Sequence, residues 1–70
     1  MLMAADFVGD DGLLFDPDTV TLTIRGADGE VSQTLTADEL RHPGVGRYEY
    51  DYPLQEGEEP PLFLFTGTIR

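Results

Sequence analysis

The side chains able to do covalent chemistry are few and isolated. Ser32 is the sole serine, His42 the sole histidine, and there is no cysteine. A nucleophile needs a base within reach and commonly stands on a strained turn. Ser32 instead falls inside an alternating run, as an outward strand residue, and His42 precedes a proline in a turn, so no catalytic residues are expected. Asp10, Asp11, Asp16 and Asp18 are close enough in sequence to suggest Ca²⁺, which takes about six to eight oxygens. They lack the alternate ligands, central glycine and terminal glutamate of an EF-hand loop, since Gly12 follows two adjacent aspartates. They read as solvated turn carboxylates, with no metal and no cofactor expected. Tyr48, Tyr50 and Tyr52 recur at period two, a spacing that could stack a sugar or a peptide. With only seven aromatic residues in the chain, they are expected to be core instead.

The elements that position these residues are short strands. Thr19 to Arg25 alternates apolar and hydroxyl side chains strictly, which places Val20, Leu22 and Ile24 toward a core and the threonines outward. Phe15-Asp16-Pro17-Asp18 is a turn before it, and Gly26-Ala27-Asp28-Gly29 after it carries an Asp-Gly hairpin signal. The returning strand is Glu30 to Thr36, with Val31 and Leu35 expected on one face. One helical turn is expected over 37–41, capped by Thr36 with Glu39 three positions on, and His42-Pro43-Gly44-Val45-Gly46 is expected to end it as a turn. Arg47 to Tyr52 alternates charged residues with tyrosines, Pro53 to Pro61 is an acidic loop, and Leu62 to Ile69 is the last strand. Val8, or Leu13 to Phe15, supplies a candidate fifth strand. Short strands separated by turns predict an all-β fold, a small antiparallel sandwich or barrel of about five to six strands, forming a single domain over 1–70 with 1–7 as an extended N-terminal arm.

Size and charge narrow the functions. Seventy residues bury only about 60% of their unfolded surface, which leaves little room for a substrate cleft; no small-molecule substrate is expected. Eight Asp and six Glu against four Arg and no Lys give a net charge of −10, which repels phosphate backbones and anionic lipid. Direct nucleic-acid and membrane partners are therefore not expected. Val, Ile, Leu and Phe nevertheless make up 19 of 70 residues, enough for a core. Without disulfides or a metal, a partner chain is the expected source of extra stability.

The last strand points to such a partner. If Phe63 and Phe65 face inward, Leu62 and Leu64 face outward, beside Glu56, Glu58 and Glu59 of the acidic loop. Exposed leucines next to carboxylates that could meet a basic patch form a candidate partner interface, with Phe7 of the N-terminal arm counted to it. A loop or the segment Met1 to Phe7 folding over the leucines is the alternative.

The order of signals, Asp10-Asp11-Gly12, Phe15-Asp16-Pro17-Asp18-Thr19-Val20-Thr21-Leu22-Thr23-Ile24, Ala27-Asp28-Gly29, Gly46-Arg47-Tyr48-Glu49-Tyr50 and Phe65-Thr66-Gly67-Thr68, resembles the small immunoglobulin-like β-sandwich domains of tailed-bacteriophage structural proteins over roughly residues 8 to 69. The chain departs from that pattern in its short first strand and in Pro61, Leu62 and Leu64, where the family more often alternates aromatic with polar residues and carries a tryptophan. The resemblance implies a non-enzymatic virion protein of the head–tail connector, neck or tail, or a capsid decoration. It would be made in the host bacterial cytoplasm and assembled with other virion proteins in several copies. An acidic inhibitor that mimics DNA and a carbohydrate-binding tail module using Tyr50 are the rival readings.

Overall fold

Strict alternation makes Thr19–Arg25 a central strand. In the computed structural model, which describes residues 1–70, the strands run β1 (Leu2–Asp6), β2 (Thr19–Arg25), β3 (Val31–Thr36), β4 (Arg41–Gly44), β5 (Arg47–Asp51) and β6 (Leu62–Thr68), with one 3-10 turn at Ala37–Glu39. They form two antiparallel three-stranded sheets, in the orders β1-β5-β4 and β3-β2-β6. The chain is thus all-β, as its periodicity predicts.

One hydrophobic cluster joins the sheets. Met3 and Tyr48 come from the first sheet, Val20, Leu22, Ile24 and Leu35 from the second, and Leu40 follows the 3-10 turn. Met3, Leu22 and Ile24 are fully buried, and each contributes about 1.5–3 kcal/mol relative to exposure. Tyr50, Tyr52 and Phe65 pack around the cluster, so the tyrosines are core residues rather than an open stacking platform.

The Asp-Gly hairpin forms as expected. Gly29 has φ 87°, its N–H donates to the Gly26 carbonyl at 2.9 Å, and the Asp28 carboxylate accepts from the Glu30 N–H at 3.0 Å. The helical turn is shorter than expected, ending at Glu39. Glu39 Oε1 accepts from the Thr36 N–H at 3.2 Å, as the spacing of these two residues predicts.

Four expectations need correction. The extended N-terminal segment is a sheet strand rather than an arm, because Leu2–Asp6 pairs with β5 along its whole length, buries Met3, and ties the Met1 amino group to the Tyr52 carbonyl at 2.8 Å. His42, Pro43 and Gly44 lie in edge strand β4 rather than in a turn, since a proline without an N–H costs nothing on an edge that faces no neighbour. Val31 and Leu35 do not share a face: a bulge opposite Ile24 and Arg25 puts Val31 against Arg25 and Leu35 against Leu22, and the extra residue reverses the alternation. Val8 and Leu14 make only an isolated bridge, so the stretch from Val8 to Phe15 adds no strand.

Candidate functional site

The outward face of β3-β2-β6 follows from its register. Rows of cross-strand neighbours run Val31–Arg25–Leu62, Thr34–Thr23–Leu64 and Thr36–Thr21–Thr66, with Thr19 beside Thr68. All seven threonines of the chain therefore lie on this one face. Three aliphatic side chains interrupt the hydroxyls at one end, Val31 at 50%, Leu62 at 61% and Leu64 at 65% exposure. Nothing in the chain folds over the leucines. Met1 to Phe7, the segment that could have covered them, belongs to the first sheet and its adjoining loop.

On the inward side of β6, the Phe63 and Phe65 rings meet edge to face with centroids 6.0 Å apart. Phe63 is still 39% exposed, because β6 is an edge strand and no neighbour lies beyond it.

The acidic loop is a built turn rather than a loose run. Gly57 has φ 84°, the Glu58 N–H donates to the Gln55 carbonyl at 3.0 Å, and the Glu58 carboxylate accepts from the Gln55 N–H at 3.1 Å. Glu58 is thereby spent on its own loop, and its charge faces the Tyr52 hydroxyl. Burial first, and that charge second, hold the Tyr52 hydroxyl above its ordinary pKa. Glu56 and Glu59 are exposed and are the two glutamates of the loop that face solvent without a partner.

Phe7 stands apart from the other expected interface residues. Half-buried, it meets Tyr48 edge-on at 5.8 Å, packs against the core and crowds Gly67, where a Cβ would fall 2.7 Å from its ring. Its backbone is equally engaged, donating to Gly46 at 2.8 Å and accepting from Phe15 at 3.1 Å. The structure brings together Leu62, Leu64 and the acidic loop, and places Phe7 inside.

The remaining carboxylates are mostly engaged. Across the outer face of the first sheet, Arg47 bridges Asp6 and Glu49, both at 3.1 Å, and Arg41 bridges Glu49 and Asp51. The hydrogen bonds to Asp6 and Glu49, with the charges of those carboxylates behind them, raise the Arg47 pKa further. In the turn before β2, Asp11 accepts from the Leu13 N–H at 3.0 Å and Asp18 from the Arg70 N–H at 2.6 Å. Asp16 accepts from the Gly46 N–H at 2.7 Å and meets His42 Nε2 at 2.9 Å. The Gly46 hydrogen bond, with His42 helping, holds the Asp16 carboxyl below its ordinary pKa. No three metal-ligating side chains converge anywhere in the chain; Asp11, Asp16 and Asp18 each hold a different backbone N–H.

The contact between Asp16 and His42 has no signal in the sequence. Asp16 and His42 are separated by 26 positions, and no periodicity links a turn aspartate to an edge strand. Comparison with protein-family models, with curated proteins and with solved structures finds no match.

Proposed function

We propose that this chain is a non-enzymatic docking module, an immunoglobulin-like sandwich of a tailed-phage particle that joins larger neck, head–tail or tail proteins. Its contact surface is the Leu62 and Leu64 end of the second sheet, flanked by Glu56 and Glu59. The observation that carries the reading is the pair of leucines, 61% and 65% exposed on one face of a single strand. Solvated strand faces normally carry polar residues, and an apolar pair there gains by being covered.

The strand pairing supports the immunoglobulin-like part. In that fold strand B pairs with E, and C pairs with F, across two sheets ordered A-B-E-D and G-F-C. Here β1 pairs with β5 and β2 with β6, while β4 lies beyond β5 and β3 beyond β2. That order matches B-E-D and F-C-C′. A DNA-mimic reading loses support from the ion pairs of the first sheet, because Asp6, Glu49 and Asp51 are all engaged by Arg41 and Arg47, which cancel two of the three charges.

The test is incorporation. Produced with the structural proteins of the adjacent genes, the chain is expected to purify with assembled particles and to stay bound in about 1 M salt, where surface charge is screened beyond about 3 Å. Leu62→Ser with Leu64→Ser is expected to keep the fold and abolish incorporation. Normal incorporation of that variant would sink the proposal.

A further inference from the structure

The two sheets leave four edges, and three of them are blunted. Strand β3 carries the bulge, β4 is four residues long with Pro43 inside it, and β1 is five residues long, closing on Asp6 in its ion pair with Arg47. Strand β6 has none of these devices. It runs seven residues without charge, proline or bulge, in unbroken register with β2 from Leu62 to Thr68. Such an edge presents a row of free N–H and C=O groups that templates another strand.

We infer that the strand it accepts is β6 of a second copy of this chain, antiparallel about a two-fold axis at Phe65. Phe65 is the midpoint of β6, so the axis pairs all seven residues and keeps every side chain on its own face. Leu62 comes opposite Thr68 and Leu64 opposite Thr66 on the outward side. On the inward side, Phe65 meets its own copy, and the half-exposed Phe63 comes opposite Gly67, where Phe7 packs.

Charge selects this occupant. Arg70 makes no ion pair within its own chain, and the Glu59 carboxylate is likewise free. The two-fold axis brings Arg70 opposite Pro60, hence beside Glu59 of the other copy, and does so twice. The antiparallel arrangement also sends the two acidic loops to opposite ends of the joined sheet, which limits repulsion between chains of charge −10. The result is one six-stranded sheet with both leucine pairs on the same side.

Sedimentation equilibrium of the full chain, up to about 1 mM, tests this. The mass is expected to rise from 7.7 kDa toward twice that value, with slowing of amide exchange along β6. Phe63→Lys, a charge on the open edge, is expected to leave a folded monomer by circular dichroism. Arg70→Glu is expected to weaken the dimer about tenfold, through loss of two surface ion pairs and gain of two repulsions, and Glu59→Arg in that background to restore it. A monomer at about 1 mM, a dimer indifferent to Phe63→Lys, or failure of the charge swap would each overturn the inference. It stands apart from the docking proposal: a wild-type dimer together with a Leu62→Ser, Leu64→Ser variant that still enters particles would overturn docking alone.

Discussion

The His42 ring lies flat on the Tyr48 ring, centroids 4.3 Å apart and planes inclined by 7°. Tyr48 is buried at the centre of the first sheet, and His42 projects from edge strand β4, so the stack clamps that short strand to the core. The far nitrogen of His42 reaches Asp16, and Asp16 in turn holds Gly46. One half-exposed imidazole therefore ties together the turn before β2, the edge strand and the β4–β5 turn.

Removing the ring should loosen that clamp. His42→Ala is expected to cost about 0.5–1.5 kcal/mol from the lost stack, whereas His42→Phe should keep the stack and lose only the Asp16 contact. Urea unfolding of the two variants checks the order. Equal losses would show that the ring contributes through Asp16 alone.

Acid should act through Asp16. Its carboxyl titrates lower in the folded chain than in the unfolded one, so its contribution is complete above the usual carboxylate value near about pH 4 and disappears as the pH falls through the folded value. Asp16→Asn is expected to be less stable than wild type at pH 7, with the difference closing toward pH 2. Paired unfolding curves cancel the relief of net negative charge that both proteins share on acidification. A gap that persists at pH 2 would contradict the assignment.

Gly46 is the glycine least able to change. Its φ is 74°, and a Cβ there would fall 2.9 Å from the backbone oxygens of both Phe7 and Phe15. Left-handed strain alone costs an L-residue about 1–2 kcal/mol, so Gly46→Ala is expected to lose more than about 2 kcal/mol once the backbone clash is added. Gly44→Ala two residues earlier meets nothing within 4 Å and should stay within about 0.5 kcal/mol of wild type. Thermal unfolding of the pair measures the contrast.

The N-terminal strand gives a fourth test. Met3 is fully buried, and its neighbour Leu2 is 52% exposed. Met3→Ala is expected to cost about 2–5 kcal/mol, and Leu2→Ala within about 0.5 kcal/mol. If the first residues were a loose arm, the two substitutions would be equally silent.

The strands that carry a strong alternation, Thr19 to Arg25 and Arg47 to Tyr52, were readable because periodicity two is written into single residues. The hairpin at Asp28-Gly29 was readable for the same local reason. Strand β1 was not, since Leu-Met-Ala-Ala-Asp has no alternation and becomes a strand only by pairing with β5. Strand β4 was hidden by Pro43 and Gly44, which punctuate turns in isolation and are tolerated on an edge. The side of Val31 was lost because a bulge reverses every side chain beyond it. At the candidate interface, Leu62 and Leu64 were legible from alternation, but the self-capping of Glu58 and the inward packing of Phe7 depend on contacts between distant segments.

The pairing order has a consequence for how the chain is made. Strand β1 waits for β5, and β2 waits for β6; the Met1–Tyr52 and Thr19–Thr68 contacts span 51 and 49 positions. Only the β2–β3 and β4–β5 hairpins can form from neighbouring residues. The first sheet can be complete once the chain has emerged from the ribosome through Asp51, but the second needs Thr68, so the core closes late, slowly for so small a protein because its contacts are long-range. Until then the apolar central strand β2 has one edge without a partner in its own chain.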